Sequence, residues 1–450
     1  MTARTPTGLG VDAKQRLIQQ ALARRRSEPE QASGATLEQA QQAAQKVPEA
    51  FYRFDQYPGY QHLRVMQQTG ARMGLSSPFF RLHQGTAGAQ TDITERRYVN
   101  FASYNYLGYS GHAEVAEAAK AAIDRYGTSV SASRPVSGDR PLHRELEREL
   151  AELYQVDDAV VMVSGHATNV TTIGYLFGPR DLVLHDELIH NSVLQGIQLS
   201  GARRLSFAHN DWQALDRLLG EQRQHFERVL VVVEGIYSMD GDYPDLPRFV
   251  ELKRKHKVFL MVDEAHSLGV MGRTGQGIRE HFQLAGDDVD IWMGTLSKTL
   301  ASCGGYIAGC SALVEHLKFF APGFLYSVGM PPSVTAAALA AVRLLKKDEG
   351  QRVGQLQARG ELFLQLAIAA GLDTATSTGL AVIPVITGSS FKAGRLSSAL
   401  FERGINAQPI VYPAVPEQAA RVRFFVSCEH SEAQIRETVA IVAEEMARLA

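Results

Sequence analysis

The stretch Val258-Phe-Leu-Met-Val-Asp263-Glu-Ala-His266-Ser-Leu-Gly269 settles what kind of fold to expect. Five apolar residues run without a polar break, end in an acid, and are followed three positions later by a histidine. A strand facing water on one side alternates; a continuous run marks a strand buried on both faces, as in parallel sheets. Similar short runs lie to either side, at residues 158–164, 182–185, 203–207, 229–234, 290–295 and 305–308, separated by helical segments. Strands alternating with helices predict an α/β domain around a mostly parallel, seven-stranded sheet. Ser164, Asp186, Glu234, Asp263 and Thr295 stand where these runs end. Open α/β sheets bind ligands beyond the carboxyl ends of their strands, so this edge is the expected site.

At 450 residues the chain exceeds what one core usually fills. Residues 100–332 read as the large domain. Residues 333–450, with a long helical stretch, strand-like runs at 381–387, 405–411 and 422–427 and a last helix near 432–449, read as a smaller α+β domain. Residues 51–99 form an N-terminal segment. Residues 1–50 are a Gln-, Ala- and Arg-rich extension with two helical patterns, the second opened by a Thr36/Gln39 capping box. That extension reads equally as a partner-docking element or a solvated tail.

The formal net charge of −2 is spread without basic blocks, which argues against a nucleic-acid surface. Three scattered cysteines, Cys303, Cys310 and Cys428, build no disulfide framework and point to a reducing, cytoplasmic setting. Residues 1–10 lack the apolar core of a secretion signal, and no apolar run approaches the roughly 20 residues of a membrane-spanning helix. A soluble protein is expected.

In Gly294-Thr-Leu-Ser-Lys298-Thr-Leu-Ala-Ser-Cys-Gly-Gly305 a lysine follows a strand directly, between hydroxyls and paired glycines. A lysine that forms a Schiff base must lose its proton readily, which burial and nearby positive charge favour. Asp263, ending a buried strand, demands a cationic partner. The pyridinium nitrogen of pyridoxal phosphate is one, and His266 would then reach that cofactor's phenolic oxygen. An Asp–His helix cap is the structural alternative. A metal site would need a third ligand, which is not nearby, and none is expected. Ser164-Gly165-His166 precedes a helix start, where free N–H groups bind phosphate. Glu234-Gly-Ile-Tyr-Ser238-Met-Asp240-Gly241-Asp242 places a serine and a turn after another strand.

Taken in order, these segments resemble the α-oxoamine synthases, a fold-type-I pyridoxal-phosphate family. Asn105-Tyr-Leu-Gly108, Ser133-Arg134 with His143, Ser164-Gly-His-Ala-Thr-Asn169 and Ala420-Arg-Val-Arg423 add to the likeness, which runs from about Asn100 to the C-terminus. The resemblance implies Lys298 as the cofactor-bound lysine and Asp263 as the pyridinium partner. Ser238 and His266 would face the phenolic oxygen, and His190 would stack on the ring. Gly165, His166 and Thr295 would hold the phosphate, and Ser327 would reach the phosphate of a neighbouring subunit in a homodimer with shared sites. Asn105 and Arg423 would bind the amino-acid carboxylate, leaving Arg421 as the surface residue of the pair.

The implied reaction is a decarboxylative condensation of an amino acid with an acyl thioester, giving an α-amino ketone, CO2 and free thiol. An aminotransferase is the alternative. A non-catalytic cofactor-binding regulator would need a DNA-binding module, and no helix-turn-helix pattern is evident. Two departures from the family pattern bear on substrate. The run Thr128-Ser-Val-Ser-Ala-Ser-Arg134 replaces a glycine-rich loop, so glycine is not assumed as the amino acid. The glycine usual before the carboxylate arginine is absent, with Glu417 and Gln418 in the loop. Residues 78–83 and 321–326 resemble members associated with polyketide or fatty-acyl assembly. That favours an acyl carrier protein as donor while leaving coenzyme A open.

Overall fold

The computed structural model describes residues 47–72 and 77–449. The helices expected before residue 47 lie outside them. The described residues fall into two compact units, which divide at residues 74 and 75. In the first, two short turns, Glu49–Phe51 and Phe54–Gln56, lead into the helix Pro58–Arg72. The second unit carries the sheets.

Its centre is the expected seven-stranded sheet. From one edge to the other the strands are Asp158–Met162, Gly305–Gly309, Ile291–Thr295, Phe259–Asp263, Val229–Glu234, Leu182–Asp186 and Arg203–Phe207. All neighbours pair in parallel except Gly305–Gly309, which runs antiparallel to both strands beside it. The continuous apolar runs are explained by where alternate side chains go. Val160, Val183, Leu230, Val232 and Met261 pack into the core on one face. Val161, Leu184, Val231, Val233, Leu260 and Val262 pack into the core on the other. The side-chain period of two sends successive residues to opposite layers, and both layers are covered.

The C-terminal part builds a second, antiparallel sheet from Val382–Ile386, Arg421–Phe425 and Gln408–Ile410, backed by the helices Gln351–Ala369 and Ser390–Glu402, against which Glu432–Leu449 packs in turn. The run expected at 405–411 divides here. Gln408–Ile410 pairs with the Arg421 strand, while Ile405–Asn406 pairs in parallel with Arg96–Asn100. A third sheet results: His83–Gln84, Gln90–Ile93, Arg96–Asn100 and Ile405–Asn406. Its first three strands come from the 51–99 segment, apart from Asn100, and its last from far along the chain. Among the described residues no helix is long and apolar enough to cross a membrane.

Candidate active site

The carboxyl edge of the large sheet gathers most of the candidate residues around one cavity of about 90 Å³. Its lining includes Gly165, His166, Asn169, His190, Glu234, Asp263, His266, Thr295 and Lys298. Lys298 also lines a second cavity of about 490 Å³ with His83, Tyr104, Asn105, Ser297 and Gln408. The lysine thus stands between a narrow pocket and a roomier one. A larger cavity, about 690 Å³, opens at the opposite edge beside Phe259, Ile291 and Gly309, and none of the candidate site residues lines it.

Asp263 is buried at its strand end. Its carboxylate accepts from Asn169 Nδ2 at 2.9 Å and from the Ala265 N–H at 2.9 Å. Asn169 also donates to Ser192 Oγ at 2.9 Å, and Ser192 Oγ lies 2.7 Å from His190 Nδ1. The His190 N–H donates to Glu234 at 2.7 Å. Burial, followed by the neighbouring Asp263 carboxylate, pushes the Glu234 carboxyl well above its ordinary range.

Lys298 makes no hydrogen bond that raises its basicity, and its Nζ sits 5.5 Å from the centroid of the Tyr104 ring. Burial lowers its pKa to about 8, with Arg423 adding to the effect. Asp263 and Glu234 pull the other way. His266 is buried too, with Nδ1 2.7 Å from the Tyr106 hydroxyl and its ring 6.1 Å from that of Phe425. Burial, then the charges of Lys298 and Arg423, hold it well below its usual pKa, so it is neutral near pH 7.

The opposite wall is a helix start. Ser164 caps Gly165–Leu176, its Oγ accepting from the Ala167 N–H at 3.3 Å. The N–H groups of Gly165 and His166 precede the first intrahelical bonds and are open to an anion. A Cβ on Gly165 would sit 2.8 Å from Thr295 Oγ1, and one on Gly305 would sit 2.7 Å from Gly165 Cα. Only glycine lets these two backbones and the threonine hydroxyl close up around so small a space.

Five residues fall differently from a simple cluster. Arg423 donates to the Ser238 carbonyl at 2.6 Å, stacks 4.4 Å from the Phe425 centroid, and keeps a buried Nε without a partner. Ser238 itself does not line the narrow cavity. Asn105 lines the roomier one, where its Nδ2 donates to Ala87 O at 2.8 Å and its Oδ1 accepts from the Ser110 N–H at 3.1 Å. Ser327 lines a separate crevice with Arg134 and Met330, away from Lys298 of its own chain. Arg421 corrects the expectation of a surface residue. It is buried and paired with Asp240 at 2.5 Å. Residues 421 and 423 are two apart on one strand and so share a face, and both point at the 238–240 loop.

Two residues of this site escaped the sequence reading, Asn169 as the Asp263 partner and Tyr106 on His266. Asn169 stands one turn into the helix that begins at Gly165, which aims it at the neighbouring strand end. That spacing was available as a signal; nothing in the sequence singled out Tyr106.

A buried carboxylate, a proton-losing amine, neutral imidazoles and a helix N-terminus with a threonine hydroxyl make a donor set that fits pyridoxal phosphate group by group. The comparisons with known proteins agree. The profile of the family "Aminotransferase class I and II" matches residues 96–442. The 8-amino-7-oxononanoate synthase of Geobacter sulfurreducens is 40% identical over 360 residues, covering 80% of this chain and 91% of that one. The enzyme of the same name from Fervidobacterium nodosum is 39% identical over 355 residues, covering 78% and 89%. Among solved structures, Sphingomonas wittichii serine palmitoyltransferase superposes with a TM-score of 0.82 at 27% identity, covering 87% of this chain and 98% of that one. A serine palmitoyltransferase structure containing pyridoxal phosphate gives 0.83 at the same identity and coverage. The chain belongs to the class I and II aminotransferase family, within its α-oxoamine synthase branch.

Proposed function

We propose that this protein condenses an amino acid with an acyl thioester, with loss of CO2, to give an α-amino ketone and free thiol, using pyridoxal phosphate. The observation that carries this reading is Lys298. Its amine has a pKa lowered to about 8 and borders both the Asp263 pocket and a second cavity large enough for a further reactant. The named relatives support it, since their product carries an amino group beside an oxo group.

When bound, the cofactor supplies an electron sink for charge left at the amino acid's α-carbon. Asp263 would hold its ring nitrogen as N–H, kept in line by Asn169 and Ala265. His190 would cover the ring face, and His266 and Ser238 would address the phenolic oxygen. Gly165, His166 and Thr295 would hold the phosphate. Lys298 would be the residue that holds the cofactor's aldehyde carbon, and as a free amine it would be placed to take the α-proton, because at pH near 8 about half of it is neutral. Arg423 offers its unpartnered Nε to the substrate carboxylate, and Asn105 has one Nδ2 hydrogen left for the same group.

The active form is proposed to be a homodimer in which Ser327 reaches the partner's phosphate. Phe319, Phe320, Tyr326 and Val328, close to it in the chain, are exposed apolar side chains that a second copy would cover. Large and small domains at 100–332 and 333–450 and a cytoplasmic setting belong to the same reading. An acyl carrier protein is proposed as donor. Competition by carrier protein against acyl-CoA, with and without residues 1–50, tests that point: no competition and unchanged specificity would remove it. The main test is a panel of amino acids offered with several acyl thioesters, scored for thiol release. Conversion of amino acid to keto acid with no thiol released would overturn the condensation in favour of transamination.

A further inference from the structure

Behind the substrate arginine lies a bonded assembly that the proposed chemistry does not use. His209 is clamped between two carboxylates, with Nδ1 2.9 Å from Asp186 and Nε2 2.9 Å from Asp242. Its ring meets Tyr237 edge-on at 4.5 Å, and its N–H donates to Glu187 at 3.1 Å. Asn210 completes the clasp, its N–H donating to Asp186 at 2.8 Å and its Nδ2 to Asp242 at 3.4 Å. Burial opposes a charge on the imidazole, but the two carboxylates together outweigh it and raise its pKa to about 10. The ring is therefore a cation at neutral pH, donating from both nitrogens.

The 237–242 loop is what the clasp holds. From the other side the same loop is tied to the C-terminal sheet. Thr376 Oγ1 donates to Asp242 at 2.7 Å, Thr378 Oγ1 donates to Gly241 O at 2.9 Å, and Arg421 pairs with Asp240 at 2.5 Å. Gly241, with φ +75°, lies so close to Val382 O that a Cβ would stand 2.0 Å from it. Within this loop the Ser238 carbonyl and Met239 Sδ accept from Arg423 Nη1, at 2.6 and 3.5 Å. A flexible guanidinium thus takes its position from a loop whose own position is set by His209.

We propose that His209 is a positioning residue for amino-acid binding: by bridging Asp186 to Asp242 it fixes the 237–242 loop, and through Ser238 O it fixes Arg423. The proposal rests on the reading of Arg423 as the carboxylate anchor. A neutral replacement would leave two buried carboxylates without their shared cation, and the loop would relax toward water. The lysine–cofactor linkage, on the other side of Asp263, would be unaffected.

The test uses the holoenzyme and the variants His209→Gln and Asp242→Asn. Amino-acid affinity is read from the change in the cofactor's visible absorbance on titration, which needs no turnover, alongside KM, kcat and thermal midpoint. Weakening of amino-acid affinity by about 10-fold or more is expected, within the range for disturbing a group that supports a binding residue. Cofactor content and thioester KM should stay close to the parent, any change in the resting spectrum should be confined to a shift of its maximum through Ser238, and kcat should fall less than the amino-acid KM rises. Unchanged amino-acid affinity in folded variants overturns the proposal, as does equal loss of amino acid and cofactor. Should His209→Gln fail to fold, Thr376→Val loosens the same loop from its exposed side and must show the same selective, smaller weakening. If no amino acid and thioester pair releases thiol in the parent enzyme, the proposed reaction fails. The absorbance titration still decides the role of His209.

Discussion

Two regions of this molecule bury charge, and they do it in opposite ways. Around Glu147, every charge is matched. Arg134 donates to both carboxylate oxygens through Nη1 and Nη2, the latter at 3.3 Å. Arg144 adds a bond at 2.7 Å, Lys318 one at 3.1 Å and the Val161 N–H another at 3.1 Å, while Arg134 Nε goes to Asp139 at 2.8 Å. Around Lys298, charge is left short of partners: the amine is held near pH 8, Glu234 is pushed upward and Arg423 keeps an orphan Nε. A saturated cluster can only hold the fold together. An unsaturated one stores the capacity to bind and to move protons, which is where a ligand belongs. The motif Ser133-Arg134 with His143 illustrates the first kind. His143 joins the Arg140 N–H at 3.0 Å to the Met330 carbonyl at 2.9 Å, and so fixes the crevice of Ser327 rather than touching the Lys298 cavity.

The contrast can be broken from either end. Lys298→Ala should lower turnover by at least ~10³-fold and remove the visible absorbance of the bound cofactor, with thermal stability of the apoprotein little changed. Glu147→Gln should do the reverse. Losing one partner of a buried ionic cluster costs about 3–5 kcal/mol, read from denaturant unfolding, while kcat per folded active site holds. An intermediate effect is expected for Asn169→Ala. It deprives the Asp263 carboxylate of one hydrogen bond and should weaken cofactor binding roughly 10- to 100-fold, measured by dialysis against free cofactor. The smallest effect is a shift in pH dependence. Lys298 of the apoprotein becomes reactive toward an aldehyde as pH rises through about 8, where its lowered pKa leaves it neutral. Asp263 stabilises the ammonium, so Asp263→Asn should move that midpoint to lower pH. A move upward would show that the Asp263 carboxylate does not stabilise the Lys298 ammonium.

How much of this was legible in the sequence follows from where each signal originates. The large sheet was readable because strands covered on both faces must be apolar throughout, and the polar strand ends then pointed to the site. The 203–207 run was found although its side chains are mostly exposed, since its place at the sheet edge asks less of it. The sheet of His83–Gln84, Gln90–Ile93 and Arg96–Asn100 was not readable. Its strands are short and polar, and the fourth comes from Ile405–Asn406, about 300 residues later, where a single run at 405–411 served two sheets. In the site, chemistry-bearing types such as Lys298 and Asp263 announced themselves. The supporting Asn169 and Tyr106 did not, because a supporting hydrogen bond depends on tertiary approach. Arg421 differs from the expected surface residue because a two-residue separation on one strand puts it on the same face as Arg423, where it is buried.

One feature of the large sheet bears on how the lysine works. The antiparallel strand Gly305–Gly309 lies directly beside Ile291–Thr295, so the segment between them is a closed loop. Its base is pinned by Leu296 N–H to Gly304 O at 2.9 Å, with Ser302 N–H to Leu296 O at 2.9 Å inside it. The backbone under residue 298 is therefore a fixed post. In the proposed reaction, the travel of the Lys298 amine would fall to four methylene groups swinging from that post.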